Sequence, residues 1–397
     1  MYRFKAFLCC IVMLLLSGCL RQTAVSQETP QQTLLPIYQE KLPTSARFFE
    51  FADNGKKFLA AGSFSFVHIY DADTFKKRVV IKEVDGKEDF SVLGAGFIDD
   101  NTWYLASRYS YPNPDYKKVR PPELSNEYLG KRIVSIRKID SLHEVYQYDL
   151  GDGGAARVFA NKEHIAHRWK FINWHNGKTY KVDMAHHAGF SYQLTSDSQV
   201  ITQGFQRNFY LFNNPVKQES VGWDFGFSWS SSKLIISPDA RYALYRTDKG
   251  SCELWLVPQK RRLGNCGRGK IWGEKNSRAV FQRDSKALAV SAENKIHIYS
   301  TEPFKKLITL TLEKSVDNLA LSGNYLAAID EIGTLRVWDI AKNRLLGQYQ
   351  ISEYSYHGKG LVSLKTMVFQ PAGSKLVVTD FNLSASQLLV FDLAALL

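Results

Sequence analysis

Cysteine and histidine are the residue types here most able to do chemistry, and their spacing narrows what that chemistry is. Five of the nine histidines fall in one stretch: His164, His167, His175, His186 and His187. Neutral imidazole is a common metal ligand. On a strand, however, His164 and His167 point to opposite faces, because alternate positions alternate sides. No carboxylate stands at a telling distance, so surface or polar-core histidines are expected, with no metal and no cofactor. There is no Gly-x-Ser-x-Gly, no HExxH, no phosphate-binding Gly-rich loop and no Cys-x-x-Cys. The sequence therefore offers no catalytic constellation and reads as a non-enzyme. Cys252 and Cys266 flank a hairpin, CELWLV–PQKR–RLGNC, symmetrically about its turn. Opposed residues of an antiparallel pair lie about 4.5–5.5 Å apart at Cα, within disulfide range. A bond closing a loop of this size stabilises by roughly 3 kcal/mol. Two separate buried thiols are the alternative.

The amino terminus, MYRFKAFLCCIVMLLLSGCL, starts positively with Arg3 and Lys5, continues with an apolar run over 6–16, and ends in small residues before Cys19. That is the layout of a secretory signal, and its apolar run is shorter than the roughly 20 residues a spanning helix needs. Leu16-Ser17-Gly18-Cys19 resembles the bacterial lipobox. The resemblance implies a signal peptide over 1–18 and acyl chains on Cys19, each buried CH₂ holding with about 0.8 kcal/mol. It carries Cys9 and Cys10 away with the signal. Leu20 stands where an Asp favours inner-membrane retention, so in a Gram-negative host the expected address is the outer membrane, facing the periplasm. Residues 20–32, LRQTAVSQETPQQ, are polar and aperiodic and read as a flexible tether.

The remaining chain, 33–397, has ample material for a core, with 45% hydrophobic and 13% aromatic residues overall. Basic residues outnumber acidic ones 51 to 39, a net charge of +12. No block of like charge stands out, so a dispersed basic surface is expected, facing acidic envelope material; an exported chain is not expected to meet nucleic acid.

Helical periodicity is nearly absent. Short β-branched and aromatic runs alternate with Gly, Pro, Asn and Asp, which reads as all-β. A unit recurs about every 35–60 residues. Its third strand ends in an aromatic or apolar residue followed by a small polar one, at Tyr70-Asp71, Ile139-Asp140, Trp174-His175, Phe212-Asn213, Trp255, Tyr299-Ser300, Trp338-Asp339 and Phe391-Asp392. Its first turn repeats as DNGKK (53–57), SPDARY (237–242), RDSK (283–286) and QPAGSK (370–375). These residues resemble WD40 repeats, GTLRVWDIAKNRLLGQY (333–349) most closely, without the Gly-His that opens many such blades. The resemblance implies a β-propeller of about eight four-stranded blades, with seven as the alternative. The last unit stops at its third strand, so a strand over 33–38 is expected to supply the fourth and close the ring. Trp174, Trp255 and Trp338 are expected to pack between blades.

In WD40 propellers the loops joining strands two and three, and those joining blades, open on one face. Here four such segments are long and aromatic. They contain Tyr109, Tyr111, Tyr116, Lys117 and Arg120 (insertion 108–132), Trp223, Phe225 and Trp229, Lys270 and Trp272, and Tyr354, Tyr356 and His357. Tyr, Trp and Arg are enriched at binding hot spots. The expected function is a membrane-anchored envelope lipoprotein, monomeric alone, that acts as a protein-interaction scaffold through this basic, aromatic face. Binding of acidic envelope polymer or lipid headgroups is one alternative; a periplasmic enzyme with a site in the propeller channel is another.

Overall fold

The computed structural model describes residues 33–44, 46–62, 66–82, 89–112, 128–141, 143–150, 158–167, 170–181, 191–194, 200–203, 208–214, 219–224, 234–246, 252–259, 261–267, 278–351, 367–371, 373–379 and 386–396. They form eight antiparallel four-stranded sheets, seven of them simple meanders. We number these blades 1 (46–82), 2 (89–149), 3 (158–181), 4 (191–224), 5 (234–267), 6 (279–311), 7 (316–350) and 8 (367–392). Blade 8 has three strands of its own, and Tyr38–Lys41 is its fourth, antiparallel to Gln387–Asp392. All eight expected third strands occur.

The first strands of the blades lie side by side, blade 8 beside 1, 1 beside 2, 2 beside 3 and 3 beside 4, and likewise from 5 through 8. Fourth strands are therefore at the periphery. The core lies between blades. Each strand is apolar on both sides because its alternate residues face different neighbours. In Gln387–Asp392, Leu388 and Val390 pack against Phe58 and Tyr70 of blade 1, while Leu389 and Phe391 pack with Leu335 and Val337 of blade 7. Trp338 fills the core between blades 6 and 7. Trp174 and Trp255 are only half-buried.

The small polar residue at the end of the third strand has a local job. Asp71 Oδ1 accepts the backbone N–H of Asp73 and of Thr74, at 3.1 and 3.0 Å. Asp339 Oδ1 accepts Lys342 N–H, and Asp392 Oδ1 accepts Ala394 N–H. A short acceptor satisfies turn donors that no strand reaches. In blade 3 this role belongs to Asn173, which accepts from His175 and Asn176. The expected Trp174-His175 pair lies one residue late, within the turn. First turns also share a geometry: Gly55 (φ +70°), Ala240 (φ +58°) and Ser285 (φ +61°) occupy the same left-handed position.

The closing strand differs from its expected bounds. Pairing begins at Tyr38, opposite Val390, and ends at Lys41, opposite Gln387. Pro36 accounts for this, since it has no N–H for a ladder. Upstream, Thr33 forms only a parallel bridge to Gln348 in blade 7, and Leu34 is buried. Glu40 then ties the closing strand to blade 1. Its carboxylate accepts from Tyr38 (2.7 Å) and Tyr70 (3.1 Å) and pairs with Lys77 (2.5 Å). His68 Nδ1 lies 3.0 Å from the Tyr70 hydroxyl. Burial pushes the Glu40 carboxyl up, but the bonds from Lys77, Tyr38 and Tyr70 and the Lys77 charge outweigh it and hold the group below its ordinary value. A carboxyl depressed in the folded state adds stability above its unfolded pKa, and that gain is lost as pH falls through the folded value. Glu40→Gln should therefore cost about 1–2 kcal/mol at neutral pH. The gap from wild type should shrink on acidification below the ordinary carboxylate range. Urea midpoints across pH check this; a gap independent of pH excludes the carboxylate as the cause.

Candidate binding face

Antiparallel alternation places the turns between strands two and three, and the links between blades, at one end of the sheets. The expected binding segments leave the described strands at this end. In blade 2 the second and third strands, Thr102–Pro112 and Tyr128–Lys138, are 11 residues each and stay paired out to Pro112 opposite Tyr128. The fourth strand stops pairing at Ile133. The hairpin of 108–112 and 128–132 thus runs past the end of the fourth strand, while the first strand stays paired with it out to Asp89 opposite Ser110. The insertion over 108–132 was expected to be loop; both its flanks are strand, because the ladder continues through Tyr109 and Tyr111. Trp223 is likewise a strand residue, in Glu219–Asp224 opposite Phe209. Cys19, Tyr116, Lys117, Arg120, Phe225, Trp229, Lys270, Trp272, Tyr354, Tyr356 and His357 lie outside the described residues.

On the arc of this face at blades 6 and 7, the carboxylates of Glu293, Glu313, Asp317 and Glu331 stand among Arg278, Lys295 and Lys314. The expected basic character is not a feature of this arc. Arg278 at the start of blade 6 reaches the Asp317 backbone carbonyl (2.6 Å) and carboxylate (3.2 Å) in blade 7. Burial raises the Asp317 carboxyl, with Arg278 pulling the other way. Between strands two and three of blade 7, Asp330 is fully buried. It accepts N–H bonds from Ile332 (3.2 Å) and Thr334 (2.8 Å) and pairs with Arg336 (2.7 Å). Gly333 takes φ +84° to make that turn. The turn holds Ile332 outward, 53% exposed. Ile332 is an exposed apolar residue that hydrophobic patterning does not flag, since it reads as part of a strand.

The two histidines three apart are both buried, at 5% and 3% exposure, on the second strand of blade 3. Burial lowers the His164 pKa, so its neutral form is favoured. Among the described residues no group of three His, Cys, Asp or Glu could hold a metal ion. No helix among them is long and apolar enough to cross a membrane.

Cys252 and Cys266 are buried thiols on adjacent strands of blade 5, their side chains in hydrogen-bond contact. They are not directly opposed: Cys252 faces Gly267 and Glu253 faces Asn265, which leaves Cys266 in a bulge. Burial, with Cys252 alongside, pushes the Cys266 thiol well up. The Cys266 thiol is therefore slow to react from within the folded blade.

The sequence matches no family model and no curated protein. Solved structures do match. The computationally designed Ika8 protein is 13% identical with a TM-score of 0.61, over 91% of this chain and 99% of that one. The Cps50 (Swd1) beta-propeller domain of Myceliophteria thermophila is 11% identical with a TM-score of 0.51, over 90% of this chain and 99% of that one. At such identities the likeness shows fold alone, and that fold is the β-propeller.

Proposed function

We propose that this chain is a lipid-anchored envelope lipoprotein whose propeller holds a membrane-associated protein partner. The observation that carries the reading is the blade 2 hairpin arm. The extended ladder of blade 2, in which Phe90 of the first strand still faces Tyr109, carries Tyr109 and Tyr111 on a paired scaffold, and aromatic contacts made from such a scaffold bind at low entropic cost. Exposed Ile332 and the end of the strand Glu219–Asp224 are at the same end of their sheets. A propeller is a scaffold for interaction in general terms; the envelope address rests on the residues around Cys19.

Affinity purification of the full chain from gently solubilised membranes tests this. A stoichiometric partner is expected, weakened about 30-fold or more by Tyr111→Ala or Trp223→Ala, the loss that truncating a hot-spot residue brings. An unchanged set of captured proteins in both variants would refute the assignment of this face. Cys19→Ala should release the chain from the membrane fraction; continued retention overturns the anchor.

In an oxidising compartment, Cys252 and Cys266 are proposed to pair, passing two electrons and two protons to an acceptor disulfide by exchange. Denatured, unreduced wild-type protein should then show no free thiol from this pair, and Cys252→Ser should show one. Two free thiols in the wild type would establish the separate-thiol state.

A further inference from the structure

We propose that the opposite face, built from the turns between third and fourth strands, docks on an anionic bilayer surface. These turns are at one end with the first turns, which hydrogen-bond from blade to blade: Asn54 N–H to Asp100 Oδ1, and Gln370 Nε2 to the Gly55 carbonyl. Fourth strands are peripheral, so these turns form the rim of that face. Their sequences are FKKR (75–78), GK (177–178), RR (261–262), FKK (304–306) and KNR (342–344). Five different blades thus contribute cations to one rim. Among the described turns of this kind, that of blade 2 has Asp140 and Glu144 instead.

Pairing decides which of these charges are available. The inner turns spend theirs: Arg283 on Asp53, Lys375 on the rim residue Asp73, and Arg241 on the rim residue Glu302. Two rim carboxylates, Asp73 and Glu302, are thereby paired from inside. Lys76, Lys178, Arg261, Lys305, Lys306 and Arg344 are exposed and have no ion-pair partner among the described residues.

Cations spaced around a rim match a broad surface of phosphate headgroups better than a threaded chain, which needs a continuous track. The course of the chain points the same way. The bridge from Thr33 to Gln348 is parallel, and the strand holding Gln348 begins at Arg344 on the rim. At Thr33 the chain therefore runs in the direction that leads away from the basic side. If Cys19 carries lipid, as the proposed function holds, the 14 residues between Cys19 and Thr33 reach at most about 50 Å. The anchor would then pull this face, and not the binding face, toward the bilayer.

The test uses the full chain with vesicles of phosphatidylcholine alone, or with added phosphatidylglycerol. Binding is expected to be stronger to the anionic vesicles. The preference should fall by about fivefold for each charge removed in Lys76→Gln, Lys305→Gln, Lys306→Gln and Arg344→Gln. With all four combined, or in about 0.5 M salt, it should vanish. Lys295→Gln with Lys314→Gln, on the other face, should leave it unchanged. Thermal melts keep the comparison to folded variants. Equal binding to both vesicles, or a preference untouched by the four substitutions, overturns the proposal. So does tighter binding to immobilised polygalacturonate than to anionic vesicles, which would make the rim a polymer site. Cys19→Ala separates the two readings. It removes attachment that is common to both vesicles if the anchor is real, and it leaves the anionic preference in place if the rim binds.

Discussion

Deleting Tyr38–Lys41 should abolish cooperative unfolding and leave an expanded chain with weakened near-ultraviolet dichroism. The strand supplies four residues of ladder to Gln387–Asp392, from Val390 to Gln387. Without it, the third strand of blade 8 becomes an unpaired edge, a template for pairing with other chains. Leu34 and Leu42, at 2% and 1% exposure, flank the strand and belong to the cores on either side of blade 8. Truncating either to Ala should cost about 2–5 kcal/mol. Detaching both, with the Glu40 bonds to Tyr70 and Lys77, approaches the whole stability of an ordinary domain, about 5–15 kcal/mol. Urea unfolding followed by tryptophan fluorescence checks this. A sharp transition at the wild-type midpoint would show that the ring holds without its clasp.

Asp330→Ala is expected to cost about 3–5 kcal/mol. Asp330 is at 0% exposure and the Arg336 side chain is at 14%, so the mutation strands a nearly buried guanidinium. It also orphans the N–H groups of Ile332 and Thr334. Asp330→Asn keeps an acceptor for those N–H groups and loses only the charge, so its cost should fall between wild type and Asp330→Ala. The ordering of the three urea midpoints is the check. Equal loss in Asn and Ala would assign the whole effect to the ion pair. The same turn aims Ile332 at solvent, so partner binding should weaken alongside stability in Asp330→Ala.

What was legible in the sequence is local. The eight third strands, and the acceptor that ends many of them, were readable because strand, turn and acceptor lie within about ten residues. Asp71 and Asp339 work on backbone donors two or three positions away. Where reading failed, a distant partner or a broken ladder decided the outcome. The closing strand was placed too early because β-rich Thr33–Tyr38 looks like a strand, yet Pro36 interrupts it and Val390 sets where pairing starts. The flanks of 108–132 looked like loop from their tyrosines and prolines, but the ladder continues to Pro112. Hairpin symmetry sets Cys266 opposite Cys252, yet Cys266 is itself the extra residue of a bulge between the pairs Cys252–Gly267 and Glu253–Asn265.

The sequence by itself determined that this protein is built from repeated four-stranded units with defined turns. Only the tertiary structure decided which side chains share a face. Cations that look dispersed along the chain, one to three at each of five turns, gather on one rim. Antiparallel alternation sends every third turn to the same end, and packing first strands together sends every fourth strand to the outside. The bounds of the closing strand and its tie to blade 1 were also beyond the sequence alone, because Glu40 meets Lys77 only after strand Tyr38–Lys41 has paired with residues some 350 positions away.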